Sequence, residues 1–187
     1  RSEEKYYSPT SRLILPFSGY ASPKGIDKRN ETEARKLLAA AGYANPALLP
    51  PVMMVLPDTP SHNANADIIA EAWASLGIES EIRRPEANES IRGMRERGFA
   101  LSFTSWIGDF ADPAAFLLMW TSDSTLNEAG YRSREYDALV RRSSELEGQE
   151  RLASLAEAEA KLLSDAAVLP VYGREPDAVR WRDRRPS

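Results

Sequence analysis

The sequence has no cysteine. That excludes a disulfide scaffold, thiolate metal sites and cysteine nucleophiles, and it fits cytosol and periplasm equally. Histidine occurs once, at His62. A Ser-His-Asp hydrolase would have to use it, yet no GxSxG is present, and its setting, TPSHNANAD, reads as a surface loop ahead of a helix. HExxH, GxGxxG and GxxxxGKS/T are all missing, which leaves zinc-protease, dinucleotide and P-loop chemistry without support. No apolar run approaches the roughly 18–20 residues of a membrane-spanning helix. A basic surface is missing too: 24 Lys and Arg stand against 28 Asp and Glu, a net charge of −4. With both signs spread along the chain, nucleic acid is not an expected partner. The opening RSEEKYYSPT has neither an initiating Met nor a signal h-region, so the chain is expected to be processed or excised from a longer protein.

What is present suits one globular domain, or two small ones: 187 residues, 42% hydrophobic and 28% charged, enough to bury a core without disulfide or metal. Residues 1–30, rich in Pro, Ser and Gly, read as an irregular opening segment. Asn30 with Glu33 resembles a capping box, followed by a helix with Ala34, Leu37, Leu38 and Ala41 on its apolar face and Gly42 at its end. VMMVL (52–56) has strand length. A helix over about 63–76 places Ile69, Trp73 and Leu76 on one face, and IESEI alternates as a strand with Ile78, Ser80 and Ile82 facing one way. A helix over 88–97, with Ile91 and Met94 inward, leads to a strand over 99–105. The order β-α-β-α-β predicts an α/β fold with an open, mainly parallel sheet flanked by helices. Beyond residue 113 the pattern predicts a short apolar helix, helices near 134–146 and 149–165, and an edge strand in VLPVYG (168–173), where Pro170 lacks a donor. The expected organisation is an opening segment over 1–30, an α/β lobe over 31–173 and a basic tail over 174–187.

The stretch SWIGDFADPAAF (105–116) carries the chemistry. Asp109 and Asp112 follow the carboxyl end of the third strand, where open α/β sheets bind ligands. Asp112 precedes Pro113 and suits the N-cap of the next helix. Asp109 lies too early to cap that helix, and a carboxylate there can hold a cation or ammonium group by charge-assisted hydrogen bonds. Trp106 beside it is either a wall for an amine or peptide ligand or a core residue. A glycosidase-like pair is poorly served by acids at i, i+3 on one turn, which flank one side of a bond rather than both. The clusters MRERG and RRPS read as solvated surface.

Five segments in order, EARKLLAAAGY, NADIIAEAWASLGIESEI, GFALSFTSWIGDFADPAAFL, NEAGYRSREYDALV and RLASLAEAEAKLLSDAAVLPVY, resemble family 5 of the solute-binding proteins of ABC importers, the oligopeptide- and dipeptide-binding group. The resemblance covers nearly all of residues 10–173. It implies the second, carboxyl-terminal lobe of a two-lobe, type II periplasmic-binding fold that closes over its ligand.

In peptide-binding members the aspartate of a Trp-x-x-Asp motif bridges the ligand's α-ammonium group, and the backbone around the tryptophan pairs with the extended peptide. The resemblance therefore implies Asp109 as ammonium anchor, Ser105 and Ile107 as backbone partners, Trp106 as a pocket wall, and Phe103 at a position where some members carry arginine. It implies a binding protein, not an enzyme, with no cofactor and no metal site. The implied partners are a short peptide, the N-terminal lobe of the same protein and a membrane ABC permease. The implied location is periplasmic or extracytoplasmic, with a lipoprotein anchor. Other members bind sugars or metal complexes, and some relatives sense rather than transport. Another solute, or an interaction or sensing domain with a vestigial cleft, are therefore the alternatives.

Overall fold

The computed structural model describes residues 7–15, 19–26, 28–85 and 98–174. The helix expected over 88–97 and the tail beyond residue 174 lie outside the described residues. In chain order the elements are β1 (Tyr7–Pro9), α1 (Glu31–Ala40), β2 (Val52–Val55), α2 (Pro60–Ala74), β3 (Ser80–Arg83), β4 (Leu101–Ser102), α3 (Ala114–Leu117), α4 (Arg134–Ser143), α5 (Gly148–Ser164) and β5 (Tyr172–Arg174). They fall into two compact units. One takes the described residues within Arg1–Asp27, Phe110–Thr121 and Ser133–Ser187; the other takes those within Lys28–Asp109 and Ser122–Arg132.

The second unit contains the expected parallel sheet, in the order β3-β2-β4. Val52 pairs with Ser80 and Val55 with Arg83 on one side, and Met54 pairs with Leu101 and Val55 with Ser102 on the other. Met54, Leu56 and Ala66 form its core, with Ile69, Ala70, Trp73, Ile82, Leu101 and Phe103 packed against them. Burial of Met54 and of Leu56 contributes about 1.5–3 kcal/mol each. Ile69 and Trp73 of the predicted apolar face of α2 thus pack on this core, while Leu76 lies beyond the end of the helix.

Helix α2 begins earlier than the sequence suggested. Thr59 caps it by accepting a hydrogen bond from the His62 amide, and Pro60 occupies the first turn, where a missing N–H costs nothing. His62 is therefore in the first helical turn and half-buried, not in a surface loop. Both α1 and α2 end on a glycine with positive φ, Gly42 at 92° and Gly77 at 86°. In each case the next residue reaches back to the last turn, Tyr43 N–H to Leu38 at 2.8 Å and Ile78 N–H to Trp73 at 3.0 Å, the Schellman pattern. Asn30 caps α1 through the Glu33 amide as predicted, but α1 buries no residue fully, and Leu37 of its expected apolar face is 63% exposed.

The first unit is mostly helical. Leu155, Ala158 and Leu162 on α5 are fully buried, as are Leu117 on α3 and Tyr136 on α4. The buried Tyr136 hydroxyl donates to the Leu117 carbonyl at 2.6 Å. The opening segment is not irregular throughout: β1 pairs antiparallel with β5, Tyr7 opposite Arg174 and Pro9 opposite Tyr172. The strand expected over 168–173 is confined to β5, because Pro170 offers no donor to a ladder.

Candidate functional site

Because β2, β3 and β4 are parallel, their carboxyl ends gather residues 56–63, Arg84 and residues 103–109 at one edge of the sheet. The sequence predicts a strand over 99–105, but only Leu101–Ser102 is strand. The reason lies in the neighbour. Strand β2 stops at Val55, and the last tie across is the Phe103 amide to the Val55 carbonyl at 3.2 Å. Leu56 turns toward the other side, donating to the Arg83 carbonyl, and Pro57 follows with no N–H. The chain of β4 therefore runs past the end of its partner. Among the described residues, Thr104, Ser105, Ile107, Gly108 and Asp109 make no backbone hydrogen bond.

Phe103 sits at the root of this free run. Its ring packs on the Met54, Leu56 and Ala66 core and meets His62 edge-to-face, centroids 5.8 Å apart. His62 Nδ1 is in turn 2.7 Å from Thr59 Oγ1. Ser105 and Ile107 are exposed, Ile107 to 83%. Trp106 is half-buried and interacts with another residue. Asp109 is exposed, and among the described residues no basic group pairs with it.

Asp112, in the first unit, is spent. Its Oδ1 accepts the Ala114 amide at 2.8 Å, the capping role predicted for it. Arg151 then clamps both oxygens, Nη1 to Oδ2 and Nη2 to Oδ1, each at 2.8 Å. The Arg151 hydrogen bond holds the Asp112 carboxyl below the usual carboxylate range, against a smaller opposing effect of desolvation. A hydrolase built on Asp109 and Asp112 would need the second acid to be available, and it is not.

Sequence reasoning missed Glu159. It is fully buried on α5, and among the described residues its hydrogen-bond donors are all neutral. Oε1 accepts the Leu13 and Ile14 amides, both at 3.1 Å, and the Ser22 hydroxyl at 3.2 Å, while Oε2 accepts the Tyr20 hydroxyl at 2.7 Å. Arg12 donates to the Ser22 carbonyl at the margin of this cluster. Burial pushes the Glu159 carboxyl up, with the Tyr20, Ile14, Ser22 and Leu13 hydrogen bonds opposing. Burial, and after it the Glu159 charge, push the Tyr20 phenol up as well. The signal was legible: Glu159 shares the helical stripe of Leu155 and Leu162, where an acid has to be bonded. Among the described residues no group of three or more His, Cys, Asp or Glu could hold a metal ion.

The family described as "Bacterial extracellular solute-binding proteins, family 5 Middle" matches residues 3–128. The dipeptide-binding protein DppE of Bacillus subtilis is 28% identical over 176 residues, 88% of this chain and 32% of the relative. The periplasmic oligopeptide-binding protein OppA of Salmonella typhimurium is 32% identical over 148 residues, 78% of this chain and 27% of the relative. The chain thus spans about a third of the length of the curated relatives it matches. Among solved structures, the Escherichia coli murein tripeptide binding protein MppA superimposes with a TM-score of 0.79 at 23% identity, over 90% of this chain and 34% of that one. Haemophilus influenzae OppA in complex with the peptide RPPGFSPFR gives 0.73 at 24% identity, over 89% and 34%.

Proposed function

Because the chain belongs to the bacterial extracellular solute-binding proteins, family 5, we propose that it is the carboxyl-terminal lobe of a two-lobe protein that captures short peptides for an ABC importer. The family is one of extracellular binding proteins. The observation that carries the reading is the run after β4 at the carboxyl edge of a parallel sheet, where among the described residues Ser105 and Ile107 are exposed and make no backbone hydrogen bond and no basic group pairs with the Asp109 carboxylate. A peptide laid along it gains main-chain hydrogen bonds whatever its side chains, which is β-augmentation. Asp109 takes the ammonium group, Ser105 and Ile107 pair with the peptide backbone, and Trp106 walls a side-chain pocket. Phe103, braced by His62, supports the root of the run. Capture by hinge closure of two lobes, followed by delivery to a membrane permease, completes the proposed cycle. A lipoprotein anchor for the whole protein belongs to the same proposal.

Calorimetric titration of tri-alanine and N-acetyl tri-alanine into the two-lobe protein, wild type and Asp109→Ala, tests this. The free peptide binds the wild type, and acetylation or the substitution each weakens binding at least about tenfold, the scale of one charge-assisted hydrogen bond. Binding indifferent to both changes removes Asp109 from the site. No binding of any peptide sends the search to other solutes.

A further inference from the structure

Strand β3 stands at the end of the order β3-β2-β4. Its ladder to β2 engages every second residue. The Glu79 carbonyl accepts from the Val52 amide at 2.8 Å and the Arg83 carbonyl from the Leu56 amide at 3.2 Å. The backbone groups of Glu79, Glu81 and Arg83 therefore turn to β2, and those of Ser80 and Ile82 turn away from it. Among the described residues, nothing pairs with that outer side of β3. An edge strand in this state is a template for another strand.

A groove of about 600 Å³ lies along the same edge, toward the amino end of the sheet. Ala70 and Ala74 of α2 and Ile78 supply its apolar lining, and Glu71, Glu79 and Glu81 supply carboxylates. All three glutamates are exposed, and among the described residues no basic group pairs with any of them. The arginines that reach the end of α2 are committed elsewhere. Arg29 Nη2 donates to Ser75 Oγ at 2.7 Å, and Arg35 Nη2 donates to the Ser75 carbonyl at 2.9 Å and to Glu31 at 2.8 Å. Arg83, on the same face of β3 as Glu79 and Glu81, is half-buried and already interacts with another residue. Charges on an edge usually bar a second strand. Unpaired charges of one sign bar an acidic strand and favour a basic one.

We propose that the β3 edge is a docking surface for an extended, basic segment of a partner protein. The segment adds to β3 as a strand through the Ser80 and Ile82 backbone groups. Its lysine or arginine side chains meet Glu79 and Glu81, with Glu71 adding charge from α2. Its apolar side chains, which alternate with the basic ones, meet Ala70, Ala74 and Ile78. This surface lies at the end of the sheet opposite Asp109 and does not rest on the reading of that residue.

The test titrates acetyl-Lys-Val-Lys-Val-Lys-amide into the two-lobe protein in three forms: wild type, Asp109→Ala, and Glu79→Gln with Glu81→Gln. The blocked peptide has no α-ammonium group to offer Asp109. Both glutamates are exposed and unpaired, so the double variant folds. Wild type and Asp109→Ala bind the peptide alike, and the double variant binds it at least about tenfold more weakly. The acidic counterpart, acetyl-Glu-Val-Glu-Val-Glu-amide, does not bind. Hydrogen exchange at the Ser80 and Ile82 amides slows at least about tenfold on saturation, as for donors taken into a new ladder. Binding abolished by Asp109→Ala would place the peptide at the carboxyl edge and overturn the proposal. Equal binding of the acidic peptide, indifference to the double substitution, unprotected Ser80 and Ile82 amides, or no binding at all would overturn it as well. Sedimentation of the protein alone supplies the last arm: a dimer that the double variant lacks would assign the edge to a second copy of the chain and not to a basic partner.

Discussion

Asp112 gives both oxygens to a guanidinium and Glu159 gives both to neutral donors, so acid acts on them in opposite senses. The Asp112 pKa is lowered in the fold. Its contribution is present above the unfolded value of about 3.9 and is lost as pH falls through the lower folded value. The Glu159 pKa is raised. Its contribution is fully present below the unfolded value of about 4.3 and is lost as pH rises through the folded value. Melting curves of Asp112→Asn and Glu159→Gln against wild type from pH 3 to 8 check this. Asp112→Asn costs about 1–3 kcal/mol near neutrality, and the cost shrinks in acid. Glu159→Gln gains on the wild type as pH rises through the Glu159 titration. Parallel curves for both variants would refute the assignment. The sequence disclosed the local half of these residues and hid the distant half. The Asp112 cap follows from the next residue being Pro113, whereas Arg151 lies 39 positions on. Glu159 meets Leu13 across 146.

At the scale of elements, periodicity located α2, α4, α5 and β2, because each carries its apolar residues within its own span, and it located β3 from an alternation that begins before the strand, at Ile78. It overextended β4 for a reason that no window on residues 99–105 contains: strand length is set by the partner, and β2 ends before Pro57. The error falls on the candidate site, since the residues left without a ladder are the ones free to pair with a ligand. Hydrogen exchange in the two-lobe protein reads this directly. The Phe103 amide, bonded to Val55, is protected with and without tri-alanine. The Ser105 and Ile107 amides exchange freely without peptide and slow at least about tenfold with it, the behaviour of donors recruited into a new ladder. Free exchange at both positions under saturating peptide would discard the added strand even where Asp109 still holds the ammonium group.

At the scale of the molecule, the order of five segments was enough to read the family, but not the way the chain folds into two units. The described residues within 110–121 and 133–174 join those of the opening segment in one unit, while 122–132 join the sheet in the other. The polar stretch 122–132 after the apolar 110–121 reads as a loop, and a reading along the chain assumes that domains are contiguous. The chain is also about a third of its curated relatives, and the proposed mechanism divides the ligand's contacts between two lobes. That division has a measurable consequence. A peptide held at about 1 μM by both lobes has about 8 kcal/mol of binding free energy, and retaining half of it corresponds to a dissociation constant near 1 mM. Ordering the peptide costs much the same whether one lobe or two contact it, so the loss is not smaller than this. Titrated side by side, the isolated chain is expected to bind tri-alanine at least about 1,000-fold more weakly than the two-lobe protein, and its residual binding, followed by chemical shift changes, is expected to map to residues 103–109. Equal affinity in the two forms would mean that these residues and their neighbours make up the whole site, and hinge closure would then have no part in holding the ligand.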